Sequence, residues 1–308
     1  MSLSQARLIE VIDVQDQLGE GVIWRASDST AWWVDILGRR IHCLAWPSLV
    51  LKTHATTERP TALAFIAGRD DVMVVSFESG FALWSPESGA THWLARPNTL
   101  GDGVRLNDGR VDPDGRFWVG SMSEHTVPEG VLPPGALFRM TASGAAEPVL
   151  AGLHISNGIC WSPDGTRMYL ADSIRGEVFM ALFDPAHGSP ARFEIFARFF
   201  GEAPDGAVTD AAGNYWTALW GGGRVAALST QGKEIASIPV NAPQPTCPAF
   251  GGKAGNLLFV ASARQGLSQD AITASPQSGS LFVFESKTVG SPATRMQLSR
   301  AALVAFVN

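Results

Sequence analysis

The sequence predicts an all-β protein, a six-bladed β-propeller. Three observations lead there: abundant Gly and Pro, recurring aromatic strand-like segments, and a nearly constant step between them. The 32 Gly and 19 Pro among 308 residues would interrupt helices too often for a helical fold, and they suit short strands joined by turns. Six segments are rich in aromatic and β-branched residues: Ala31 to Asp35, Val72 to Ser76, Arg116 to Gly120, Arg167 to Ala171, Asn214 to Ala218 and Leu257 to Ala261. With Trp33, Val74, Trp118, Tyr169, Trp216 and Phe259 taken as equivalent, the steps are 41, 44, 51, 47 and 43 residues, the length of a four-stranded propeller blade.

The punctuation agrees with this reading. Asp114-Gly115, Asp164-Gly165, Ala212-Gly213 and Ala254-Gly255 each precede one of the segments, as hairpin turns require. A third strand follows, as in Gly135 to Arg139 and Gly279 to Val283, and no amphipathic helix of convincing length intervenes. An open sandwich would also be all-β, but it does not predict six similar units; radial repetition around a channel does. The expected organisation is one domain over residues 1–308. The repeats lack a Gly-His and Trp-Asp signature, so nothing specific supports a protein-docking propeller.

Composition narrows function. With 45% hydrophobic and 17% charged residues the chain can bury one large core or two modest ones. Its net charge of -6 repels phosphate backbones and anionic membranes, which argues against nucleic acid and membrane surfaces as partners. Cys43, Cys160 and Cys247 are odd in number and far apart, unlike a zinc site or a CxxC motif, and read as buried small apolar residues. The stretch from Met1 to Gly19 carries Arg7, Glu10, Asp13 and Asp16 without an apolar run, so it reads as neither signal peptide nor anchor, and a cytoplasmic protein is expected. The six His show neither HxH nor HExxH spacing, and no GxSxG, GxGxxG or phosphate-binding loop occurs.

The repeat also serves as a ruler. Counting back eight residues from Gly115, Gly165 and Gly213 lands on Asn107, Asn157 and Asp205. Aligning Trp24 with Trp161 and stepping back four gives Glu20, and the same step from Phe65 and Phe250 gives Thr61 and Thr246. Because the innermost strand of each blade runs along the central channel, equivalent positions form a ring around one axis, and every member of this ring carries a side-chain oxygen. Taken singly, Asn157-Gly158 and Asp205-Gly206 are ordinary turn dipeptides. Six oxygen-bearing residues at one phase of the repeat point instead to a shared role. Converging carboxylates are costly to bury unless a cation sits between them, and oxygen-only ligands suit Ca²⁺ best, with Mg²⁺ and Mn²⁺ next; Zn²⁺ and Fe²⁺ stay open. Arg105 lies two residues before Asn107, so both side chains face the channel, where the guanidinium can clamp substrate oxygens or pair with Glu20 or Asp205.

At this point the sequence resembles a known family. Leu18-Gly19-Glu20-Gly21, the run from Arg105 through Asn107 to Gly115, Ile155-Ser156-Asn157-Gly158 and Pro204-Asp205-Gly206 are similar to motifs of the senescence marker protein 30, gluconolactonase and luciferin-regenerating enzyme family. The stretch from Thr246 to Gly252, followed by Ser262 to Leu267, resembles its bacterial sugar-lactonase branch. The resemblance implies that Glu20, Asn157 and Asp205 hold one divalent metal, that Asp205 is also the general base, and that Arg105 and Asn107 contact a sugar lactone. In some members a substrate-contacting Glu stands where this chain has His125, with Glu124 one residue earlier. Adjacent strand residues face opposite sides, so the pattern leaves open which of the two reaches the pocket.

The expected activity is metal-dependent hydrolysis of an aldonolactone to its aldonic acid. Two alternatives stand beside it: a metal-dependent phosphotriesterase or arylesterase, and a non-catalytic calcium-binding propeller. The Pro- and Gly-rich segment from Ser123 to Pro134 is long for a propeller turn and is expected either to cover the channel mouth or to be a plain solvent loop.

Overall fold

Six antiparallel sheets are arranged as a β-propeller in the computed structural model, which describes residues 6–304. Residues 1–5, the start of the stretch read as neither signal peptide nor anchor, lie outside the described residues, as do 305–308. Each sheet runs from an innermost strand outward. The innermost strands are Gly19–Arg25, Pro60–Ile66, Val104–Val111, Ser156–Trp161, Ala203–Thr209 and Pro245–Gly251, in blades one to six. The strand Ala6–Ile12 supplies the outer edge of blade six by pairing with Leu281–Ser286, so the start of the chain closes the ring on its own last blade.

The recurring segments form the second strand of each blade. Trp33, Val74, Trp118, Tyr169, Trp216 and Phe259 are each at most 1% exposed, because a second strand is covered on both faces by neighbouring blades. Strand alternation assigns each side chain to one neighbour: Trp32 packs toward blade two with Phe65, while Trp33 packs toward blade six with the cluster around Phe259. The expectation of one large core or two modest ones is therefore corrected. Six apolar clusters fill the six gaps between adjacent blades, since a radial array buries its sheets face to face and leaves the axis itself for polar groups.

The expected turn glycines Gly115, Gly165, Gly213 and Gly255 have φ between 70° and 88°. In blades three and five the turn is also held by a carboxylate. Asp112 accepts from the backbone of Asp114 and Arg116 and from the Trp118 indole, and Asp210 accepts likewise from Ala212, Asn214 and Trp216. Only two short helices occur among the described residues, Gln269–Ala274 and Arg300–Val304, and no helix is long and apolar enough to cross a membrane. Cys43, Cys160 and Cys247 are free and buried.

Candidate active site

All six innermost strands slip register where the ring positions fall, for example between Glu20 and Ile23, Leu106 and Gly109, Asn157 and Cys160, and Pro204 and Ala207. A bulge twists the strand and re-aims its side chains. This explains the glycines beside the ring residues: Gly21 and Gly158 both sit at φ 61°, inside strands rather than in hairpin turns. At Gly158 and Gly206 a Cβ would strike Tyr215 and Cys247 of the next blade, so these glycines also allow the blades to close on the axis.

The bulges bring Glu20, Arg105, Asn107, Asn157 and Asp205 to one cavity of about 280 Å³. All five are buried. The ring of six does not form as expected, because Thr61 and Thr246 are occupied elsewhere. Thr61 Oγ1 bonds to Ser76 Oγ at 2.8 Å and Thr246 Oγ1 donates to the Gly19 carbonyl, each holding strand to strand, and neither lines the cavity.

One hydrogen-bond chain orients the polar wall. Arg105 Nη1 donates to Asn107 Oδ1 at 2.7 Å, Asn107 Nδ2 to Asn157 Oδ1 at 2.8 Å, Asn157 Nδ2 to Ser173 Oγ at 2.9 Å, and Ser173 Oγ to the Pro204 carbonyl at 2.7 Å. Starting from a group that can only donate, each step fixes the amide orientation of the next, and the chain ends beside Asp205. The salt-bridge role considered for Arg105 is directed differently from expectation: its Nε lies 3.5 Å from Glu124. Burial pulls the Arg105 guanidinium down to about 10, with the Glu124 charge opposing that shift.

The two carboxylates are short of positive charge. Burial, and then the charge of Asp205, push Glu20 well above the usual carboxylate range; burial, and then the charge of Asp108, do the same to Asp205. Asp205 Oδ1 is buried without a hydrogen-bond partner. An orphaned carboxylate oxygen, a second buried carboxylate and an oriented amide oxygen make a donor set that fits a hard divalent cation. Among the described residues no three His, Cys, Asp or Glu side chains cluster as a metal site, and the Asn157 amide oxygen stands beside the two carboxylates in the cavity lining.

Glu124 and His125 both stand outside this cavity. Glu124 accepts from Arg59 Nη1 at 2.7 Å and Nη2 at 2.9 Å in an adjoining recess that shares Arg105 with the site. His125 is exposed and lies against Gly103, where any Cβ would collide with its ring. No residue of the segment from Ser123 to Pro134 lines this cavity, although Met122, just before it, does.

Sequence reasoning missed two central groups. Asp108 shares the bulge with Asn107; it is buried, and its Oδ2 accepts from the Ile159 amide. Arg110 reaches across the channel from blade three to the carbonyls of Val22 and Ala207 in blades one and five. A one-position ruler cannot find them, because a bulge turns two consecutive residues inward. The lining residues Leu18, Ile155, Ile174, Ala203, Trp220 and Gln265 were also missed, since most of them lie at strand ends and in loops that carry no repeat signal.

Comparison with known proteins extends this geometry. A family model described as the SMP-30/Gluconolactonase/LRE-like region matches residues 18–264. The chain is 33% identical over 296 residues to an L-arabinolactonase of Azospirillum brasilense, covering 92% of this chain and 93% of that protein. It is also 33% identical over 269 residues to a 6-deoxy-6-sulfogluconolactonase of Pseudomonas putida, covering 86% and 90%. Among solved structures, a calcium-binding protein of Agrobacterium tumefaciens named regucalcin superposes with a TM-score of 0.88 at 33% identity, over 94% of this chain and 98% of that one.

Proposed function

The chain belongs to the SMP-30/gluconolactonase/LRE-like family, and from that premise we propose that it is a hydrolase opening a sugar-derived lactone to its aldonic acid, with one divalent cation held by Glu20, Asn157 and Asp205. The observation that carries the reading is the convergence of two buried, underneutralised carboxylates and one oriented amide on a cavity that also holds Arg105 and Asn107.

A cation held by Glu20, Asn157 and Asp205 would supply Lewis acidity toward a carbonyl oxygen. Asp205 takes the proton of the attacking water through the carboxylate oxygen that a bound cation leaves free. As the water oxygen bonds to the carbonyl carbon, the ring C–O bond breaks, and the same proton passes from Asp205 to the departing ring oxygen. Arg105 orients ring hydroxyls, and Asn107 transmits its position to Asn157. Glu124, pinned by Arg59, sets the position of Arg105 from behind.

The oxygen donors favour Ca²⁺, with Mn²⁺, Mg²⁺, Zn²⁺ and Fe²⁺ as candidates. The test is a pH-indicator assay of purified protein on pentono- and hexonolactones, with each metal and with chelator, alongside an aryl phosphotriester. Lactone opening that chelator abolishes and added metal restores supports the proposal. Opening no faster than buffer defeats it, and turnover of the phosphotriester alone favours the esterase alternative.

A further inference from the structure

Two arginines face one carboxylate beside the cavity, and the arginine outside the cavity holds it. Arg59 stands one residue before the innermost strand of blade two, Pro60–Ile66, and is anchored there by Glu78. Its carbonyl accepts from the Glu78 amide at 2.8 Å, its amide donates to Glu78 Oε1 at 3.1 Å, and its Nε donates to Glu78 Oε2 at 2.7 Å. Glu124 follows the blade-three strand Phe117–Ser123, and its amide donates to the Gly103 carbonyl at 2.7 Å. Between these two fixed points the Arg59 fork takes both Glu124 oxygens, the strong bidentate form of an arginine–carboxylate pair.

The same pairing leaves Arg105 short of an acceptor. Its Nη1 is bonded to Asn107 and to the Leu106 carbonyl, but its Nε is buried without a hydrogen-bond partner, 3.5 Å from the nearer Glu124 oxygen. The bonds from Arg59, more than the charge of Arg105, hold the Glu124 carboxyl below the usual carboxylate range. With Arg59 removed, about 0.6 Å of closure would bring Glu124 within hydrogen-bond distance of Arg105 Nε. We propose that Arg59, which does not line the cavity, is a positioning residue for substrate binding: it withholds Glu124 from Arg105 and so keeps the Arg105 guanidinium available to substrate oxygens. The inference rests on the lactonase reading of the cavity.

The experiment compares Arg59→Met with the double variant Arg59→Met/Glu124→Gln in metal-loaded protein, on whichever lactone the unaltered protein opens. Arg59→Met should raise KM by roughly tenfold to a hundredfold, the scale of a lost hydrogen bond to a charged group, with kcat little changed, as for lost binding. The double variant, which has no carboxylate left to capture Arg105, should fall back toward the smaller KM increase of Glu124→Gln alone. A merely structural role for Arg59 predicts the reverse, a double variant at least as impaired as Arg59→Met, and that result overturns the proposal. So does an unchanged KM in Arg59→Met. A crystal structure of Arg59→Met supplies the readout that needs no lactone: Glu124 should close onto Arg105 Nε, and a carboxylate that turns to solvent instead also overturns the proposal. Failure of the underlying reading looks different, because the unaltered protein then opens no lactone, wherever Glu124 settles.

Discussion

The two ends of the channel are built from the same six strands and have opposite properties. At the end where the innermost strands begin, bulges turn Glu20, Asn157 and Asp205 into an open cavity with more negative charge than it can neutralise. At the other end the chain after blade six crosses the mouth. Val289 and Ser291 pair with Ala211 and Thr209 of blade five, Met296 pairs with Phe65 and Ala67 of blade two, and Gln297 pairs with Gly115 of blade three. Blades five and two face each other across a six-membered ring, so this strap spans the diameter. Beneath it the lining turns aromatic, with Trp24, Trp161 and Phe250, and Arg110 is the charged group that lines that cavity. The strapped end gives the open end a base, and chemistry can be concentrated where buried carboxylates are left without counter-charge.

The contrast can be broken most sharply at Asp205. Asp205→Asn should lower lactone turnover by about 10²- to 10⁴-fold, the range for loss of a general base, while circular dichroism stays unchanged. A variant with near-normal turnover would remove Asp205 from the chemistry. At the closed end, Asp210→Ala strips acceptors from two backbone amides and from the Trp216 indole. It should cost about 3 kcal/mol of stability, since buried donors are left unpaired, and should leave kcat/KM near its normal value. A large kinetic defect in a folded Asp210→Ala protein would mean that the two ends are not separable.

A third prediction concerns pH. Burial, with the charge of Asp205 acting on Glu20 and that of Asp108 acting on Asp205, raises both carboxyls above their ordinary range, so without a cation the folded protein favours their protonated forms. Stability from these groups is therefore complete below their unfolded values and is lost as pH rises through the raised folded ones. Chelated protein should melt progressively lower as pH rises above the ordinary carboxylate range, and excess Ca²⁺ should abolish that slope by displacing the protons. Identical slopes with and without Ca²⁺ would count against a cation at these side chains. The smallest effect separates neighbours: Glu124→Gln, which loosens Arg59 and Arg105, should raise KM by roughly threefold to tenfold, the scale of one weakened charge-assisted bond, whereas His125→Ala should change it little.

Much of the fold was legible because blade architecture imposes a period. Six second strands have to be apolar on both faces, and six turns have to accommodate a left-handed residue, so Trp33 through Phe259 and Gly115 through Gly255 stand out at a regular step. The same period placed Glu20, Asn107, Asn157 and Asp205 at one phase. It failed at Thr61 and Thr246, where an oxygen at the right phase is spent on Ser76 and Gly19, because spacing does not report what a hydroxyl bonds to. It failed again at Glu124 and His125, where Arg59, distant in sequence, decides which side chain is held near the site.

Local sequence by itself determined the number of blades and the ring of candidate oxygens, since each depends on alternation and turn chemistry within about fifty residues. Only the tertiary structure decided which of those oxygens meet and which end of the channel is strapped shut. Those outcomes come from side chains brought together around an axis by chain segments far apart in sequence, and a periodic pattern contains no information about the partners a residue meets across that axis.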